Sequence, residues 1–117
     1  MNFAAEQLVV PMKALADPVR LRIVVLCAQG ECSVSELTQV LGLSQPRVSQ
    51  HLKQLCAVDL LERFRDGHFV YYRVPSLGGT SASRRRLLAL LPDDEPQFAA
   101  DLAKLRELRA VDDPAPA

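Results

Sequence analysis

The chain has 117 residues, with fourteen Lys and Arg against fourteen Asp and Glu, 49% hydrophobic and 5% aromatic residues, and no Trp. That length suits one domain, the composition excludes a wholly disordered chain, and zero net charge departs from the basic excess that usually marks nucleic-acid binders. The longest apolar run, six residues at 23–28, falls far below the roughly 20 of a spanning helix, and three irregularly spaced cysteines make no disulfide framework; the chain reads as cytoplasmic with reduced thiols and no membrane partner.

The N-terminal stretch 3–15 carries apolar residues and Pro11, and predicts a short, interrupted helix. Asp17 followed by Pro18 is an N-cap and first-position pair, opening a helix over 19–29 that is apolar nearly all round and ends at Gly30. Ser33 with Glu36 forms a capping box for a short third helix whose apolar face is Leu37, Val40 and Leu41. Gly42 permits a tight turn. Ser44 caps the next helix, Pro46 sits in its first turn, and Val48, Leu52, Leu55 and Cys56 recur at helical spacing. A short helix, a glycine turn and a second capped helix make a helix-turn-helix.

Two extended segments, 61–65 and 68–74, flank Asp66-Gly67, which predicts a hairpin with a two-residue type I′ turn. That turn pairs Arg63 with Val70 and Leu61 with Tyr72, puts Leu61, Val70, Tyr72 and Val74 on the core face, and puts Phe64 and Phe69 on the other. A Gly/Ser-rich linker covers 75–83. Helices over 84–91 and 95–110 follow; Asp94 is the expected cap of the second, and Phe98, Leu102, Leu105 and Leu108 or Arg109 its apolar stripe. The expected organisation is a winged helix-turn-helix domain over 1–91, a C-terminal helix of the same domain over 92–110 whose stripe docks on its own core or on a partner subunit, and a disordered tail over 111–117; dimerisation through that helix is what the family resemblance below implies.

A recognition helix followed by a basic hairpin is the architecture of a winged helix, mainly α with a β-hairpin wing. The helix at 45–57 turns Gln45, Arg47, Ser49, Gln50 and Lys53 away from its apolar face, where Gln and Arg suit base edges in the major groove. Ser44, Ser49 and Lys53 suit phosphate oxygens, and Arg65 and His68 at the wing tip can reach the neighbouring backbone or minor groove. The charge then divides by segment: −1 over 1–43, +5 over 44–91 and −4 over 92–117. Zero is thus the sum of a basic middle and acidic flanks, and no longer argues against nucleic acid.

Three stretches in order, 15–23 (LADPVRLRI), 44–53 (SQPRVSQHLK) and 66–73 (DGHFVYYR), resemble the ArsR/SmtB repressors. The resemblance implies a homodimeric winged-helix repressor, dimeric through its first and last helices, that leaves a palindromic double-stranded DNA operator when an inducer or a thiol modification acts. Its recognition positions fall on Gln45, Arg47, Ser49 and Gln50. The family's effector sites do not carry over. The arsenical Cys pair is replaced by Ser33 and Ser35, and from Arg84 onward there is neither His nor Cys for a zinc-type site. The persulfide-type pair finds Cys27 two residues out of step and no partner cysteine in the last helix. A metal or metalloid effector is therefore not expected, no cofactor is identified, and the inducer is unknown.

Cys27 and Cys56 read as small core residues. Cys32, at a helix N-terminus, is the candidate thiol sensor. His51 and His68 lie on DNA-facing elements and are not read as ligands. No nucleophile motif, paired-carboxylate cleft or phosphate loop indicates an enzyme. The competing reading is a winged-helix protein-interaction module without specific DNA binding.

Overall fold

The computed structural model describes residues 3–75, 82–92 and 94–112. Along them run α1 (Phe3–Leu15), α2 (Pro18–Gln29), β1 (Cys32–Ser33), α3 (Val34–Leu41), α4 (Gln45–Ala57), β2 (Glu62–Asp66), β3 (Phe69–Arg73), α5 (Ala82–Ala89) and α6 (Pro96–Asp112). The architecture is a winged helix-turn-helix, mainly helical with a small antiparallel sheet. No helix among the described residues is long and apolar enough to cross a membrane.

Capping sets most of the boundaries. The Asp17 carboxylate accepts from the amides of Val19 and Arg20 at 2.8 and 3.1 Å, and Pro18 occupies the first turn, where its missing N–H costs nothing. Ser33 Oγ accepts from the Glu36 amide while Glu36 Oε1 accepts from the Ser33 amide, a complete capping box on α3. Gly42 closes α3 at φ +68°, with its amide donating to the Thr38 carbonyl. α4 ends in a Schellman motif: the Leu60 amide reaches the Leu55 carbonyl, the Asp59 amide reaches the Cys56 carbonyl, and Asp59 itself takes the left-handed conformation at φ +59°.

Several expectations change. α1 is one continuous helix rather than an interrupted one: Pro11 forgoes a single backbone bond, and its ring is fully buried. α5 begins at Ala82 and stops at Ala89, so the linker is shorter than expected; 76–81 lie outside the described residues. α6 starts at Pro96, which places its cap position at Glu95 and not Asp94, and it runs to Asp112, so positions 111 and 112 are helical. The rest of the expected tail lies outside the described residues.

The sheet has strand order β1-β3-β2. Its third member, β1, has no sequence signal of its own; it pairs Cys32 with Tyr72 and Ser33 with Tyr71. In the hairpin Asp66 pairs with Phe69, Arg65 with Val70 and Arg63 with Tyr72. The two loop residues are therefore Gly67 and His68, not Asp66 and Gly67. Gly67 has φ +64° and His68 is not among the positive-φ residues, the pattern of a type II′ turn instead of I′. Each residue's partner moves by two, an even step, so the faces are those expected. Leu61 is buried, Tyr72 and Val74 pack on the core, and Phe64 stacks on Tyr71 with ring centroids 5.7 Å apart on the opposite face.

The core gathers Ile23, Leu26, Leu37, Leu52, Leu55, Leu60 and Leu61, all fully buried, beneath α6. Phe98 and Leu105 of α6 are buried against this core, with Leu102 and Leu108 partly so. The apolar stripe of α6 is thus spent within the chain. One buried ion pair fastens that helix to α2: Arg22 donates through Nε and Nη2 to both Asp101 oxygens at 2.8 Å, and Gln97 donates to the same carboxylate at 3.0 Å. Asp101 is 3% exposed, so the bidentate geometry and the third donor offset its desolvation.

Candidate nucleic-acid interface

Two elements build the candidate surface. α4 is anchored by Val48, Leu52 and Leu55, and this fixes which way its remaining side chains point. Ser44, Gln45, Arg47, Ser49, Gln50 and Lys53 are all exposed on the outer side. Ser44 Oγ caps the helix by accepting from the Arg47 amide, which leaves its hydroxyl hydrogen free to donate outward. The helix N-terminus, with its unpaired amides, opens on the same surface.

The wing contributes Arg65 and His68, both exposed, as expected from the sequence. It also contributes Arg63, which the sequence reading left out. Arg63 and Arg65 are two apart on β2 and share the face that turns toward α4; the Arg63 charge is felt by the Cys56 thiol there. Alternation along β2 was the available signal. Arg47, Lys53, Arg63 and Arg65 make no ion pair among the described residues, whereas Arg22, Arg73 and Arg109 are each held by a carboxylate. These four cations lie on the outer side of α4 and on β2, and the three paired ones serve the fold.

His51 is turned elsewhere than expected. It is half-buried, with its Nδ1 3.4 Å from Arg20 Nη1, and Arg20 also donates to Gln54 Oε1 at 2.8 Å. This Arg20 cluster ties α2 to the back of α4 and sets how the recognition helix is presented. Asp17 beside it is pushed up by burial, but the two capping amides and the Arg20 charge outweigh that and hold the carboxyl below its ordinary value.

Cys32 stands at the N-terminal end of α3, directly before its Ser33 cap, as expected, but it is not exposed. It is fully buried in β1, packed with Cys27 of α2 under the side chain of Arg109, whose Nη2 lies 3.9 Å from Cys32 Sγ. Arg109 also donates to Glu36 Oε2 at 2.9 Å and to the Glu31 carbonyl. The Cys32 thiol donates to the Gly30 carbonyl at 3.5 Å. Neighbouring Cys27 and the Arg109 guanidinium hold the Cys32 thiol below its ordinary value against the penalty of burial, while Cys32 and burial push Cys27 well up. Cys56 is half-buried, and burial raises its thiol. Among the described residues no group of three or more His, Cys, Asp or Glu could hold a metal ion.

Residues 17–63 match the bacterial regulatory protein, arsR family. The fold agrees with solved structures of reduced HlyU from Vibrio cholerae at 32% identity and a TM-score of 0.64, over 75% of this chain and 87% of that one. The chain belongs to the ArsR family. Among ArsR-family relatives, the arsenic resistance transcriptional regulator ArsR1 of Pseudomonas putida is 49% identical over 63 residues, 53% of this chain and 49% of that protein. The chain spans about half the length of the curated relatives it matches. A homodimeric winged helix-turn-helix DNA-binding domain from Mycobacterium bovis, a possible ArsR-family transcriptional regulator, has a TM-score of 0.62 at 33% identity, over 74% of this chain and 76% of that one.

Proposed function

We propose that this ArsR-family chain is a sequence-specific transcriptional repressor, acting in the cytoplasm as a homodimer on a palindromic operator and released by an inducer or thiol modification. The observation that carries it is the outer surface of α4 and β2, where Arg47, Lys53, Arg63 and Arg65 are exposed and make no ion pair among the described residues, with Gln45, Ser49 and Gln50 exposed on the same helix. α4 is the reading element. Arg47 and the two glutamines suit guanine and adenine edges in the major groove, while Ser44, Ser49, Lys53, Arg63, Arg65 and His68 suit the flanking phosphates or the adjacent minor groove.

A two-fold dimer requires two half-sites separated by about one helical turn, roughly 34 Å. The exposed apolar side chains of α1, namely Leu8, Val9, Val10 and Met12, supply the surface for a second copy. The α6 stripe is already covered, so only its outer side can join that contact.

Selection of bound duplexes from a random library, followed by affinity measurements over a range of salt, tests this reading. The expected outcome is a two-half-site consensus whose affinity falls steeply with salt. Arg47→Ala should weaken binding to that consensus by about 1–3 kcal/mol and relax one base position in each half-site, as for a side chain reading a base edge. Recovery of no consensus, with no low-salt binding, would instead favour a winged-helix interaction module.

A further inference from the structure

Arg20 joins three helices through one side chain. Its Nε donates to the Ala14 carbonyl in the last turn of α1. Its Nη1 donates to Gln54 Oε1 at 2.8 Å and lies 3.4 Å from His51 Nδ1, both on α4. Its own helix, α2, is capped by the Asp17 carboxylate, 4.0 Å from the same nitrogen. The Arg20 side chain is only 15% exposed, so its planar fork is held in one orientation.

These bonds do what the core beneath α4 does not. Val48, Leu52 and Leu55 anchor the helix by apolar contact, which is non-directional and leaves rotation loosely set. Hydrogen bonds are directed and fix it. Residues four apart stand one turn apart on the same side of a helix. Arg47 therefore stands one turn before His51, and Gln50 one turn before Gln54. Any rotation of the two residues that Arg20 holds carries these two base-reading candidates with it.

The hold on His51 also depends on a proton. A guanidinium has donors only, so Arg20 Nη1 can bond Nδ1 only while that nitrogen is bare and the ring proton is on Nε2. Protonation of Nδ1 turns the acceptor into a donor and sets a second cation against the first. The charged groups around this imidazole are Arg20 and Asp17 at the start of α2 and, from α1, Lys13, which lines the same hollow as Arg20 and Gln54. One carboxylate does not balance the three cations then present.

We propose that Arg20 is a positioning residue for DNA recognition: through Gln54 and neutral His51 it sets the rotation of α4 that aims Arg47 and Gln50, and protonation of His51 releases that hold. This role rests on the repressor reading. Its sign is opposite to that of simple charge, because added protons favour contact with phosphates, whereas a loosened recognition helix weakens specific binding.

The experiment measures affinity for the duplex recovered by selection, and for a random duplex, at fixed salt from about pH 8 to about pH 5.5, the interval in which imidazoles titrate. Affinity of the wild-type chain for the selected duplex should fall at least about tenfold on acidification, while that for random DNA holds or rises. The chain has two histidines. His51→Gln should abolish the acid loss and His68→Gln should keep it. Arg20→Lys keeps the charge without the fork, and at the alkaline end should lose at least about tenfold on the selected duplex. Its salt dependence should stay as steep as that of the wild type, since a lost phosphate contact would lower the slope by about one. Gln54→Ala, at an exposed position, should keep the wild-type circular dichroism, lose about three- to tenfold, and cost nothing further in Arg20→Lys.

Specific affinity that holds or rises in acid, or an acid loss that persists in His51→Gln, overturns the proton dependence. Wild-type affinity in Arg20→Lys and Gln54→Ala, or a salt slope lowered by about one in Arg20→Lys, overturns the positioning role and leaves the repressor reading intact. If the wild-type chain selects no duplex at the alkaline end, the repressor reading falls and the positioning role falls with it.

Discussion

At the residue scale, Asp59 shows how a local constraint can be met by a residue that is not the best one for it. The Schellman motif ending α4 needs a left-handed residue, which Asp accepts at some cost and glycine at none. The carboxylate also stands at a helix C-terminus, where the macrodipole disfavours negative charge. Against these, glycine loses more backbone freedom on folding. The first two effects together exceed the third, so Asp59→Gly should raise stability by about 0.5–1 kcal/mol, with Asp59→Ala lower than wild type. Urea unfolding checks it through a higher midpoint at unchanged slope; a midpoint that stays or falls would show that Asp59 makes a compensating contribution. Glycine at this position would also tell whether the exit angle of α4, and with it the recognition helix, is set by the motif or by the side chain.

Between elements, the clamp of α6 on α3 is titratable. Burial pushes the Glu36 carboxyl up, but Arg109 and the Ser33 amide together win and hold it below its ordinary value near 4.5. A depressed carboxylate contributes stability that is fully present above the ordinary value and is lost as pH falls through the folded one. Gln keeps the capping geometry and removes the charge. Glu36→Gln should therefore cost roughly 1 kcal/mol at pH 7, discounted because Arg109 is partly exposed, and the difference from wild type should shrink once pH falls below about 4.5. Paired urea titrations at neutral and acid pH decide it: a constant difference would mean that packing, not charge, joins α6 to α3. The elements themselves were largely legible. Asp17-Pro18, Ser33 with Glu36, Gly42 and Ser44 each mark a boundary because capping is chemistry between residues close in sequence. The hairpin register was not, because loops at 66–67 and 67–68 put the same side chains on the same faces, and the hydrophobic pattern cannot distinguish them. β1 is two residues long, too short for any period. The Arg20–His51 contact depends on how α2 lies against α4, which no local pattern encodes.

For the molecule as a whole, the distribution of apolar surface decides how a small domain completes itself. Of the two places expected for the α6 stripe, its own core or a partner subunit, the chain's own core takes it: Phe98 and Leu105 are buried there, and the Arg22–Asp101 pair holds the helix. Phe69, Leu90 and Val111 are exposed singly, whereas α1 gathers an exposed apolar group, Leu8, Val9, Val10 and Met12, each 40–48% accessible. Val10 borders Gln54 and Ala57 in the last turns of α4, so a second copy seated on α1 is expected to approach that helix at its C-terminal end and not at Gln45 and Arg47. In a two-fold interface each substitution is made twice. Leu8→Glu would place two carboxylates in an apolar contact, at a cost of about 3 kcal/mol or more, and so should weaken the dimer by at least about a hundredfold. Sedimentation equilibrium is the direct measure. Circular dichroism should stay that of the wild type, because these side chains lie outside the core. DNA affinity should fall with the dimer while the salt dependence per half-site persists, since the phosphate contacts of one protomer are untouched. A dimer that survives Leu8→Glu would move the interface off α1, to the outer side of α6 and its exposed alanines 99, 100 and 103.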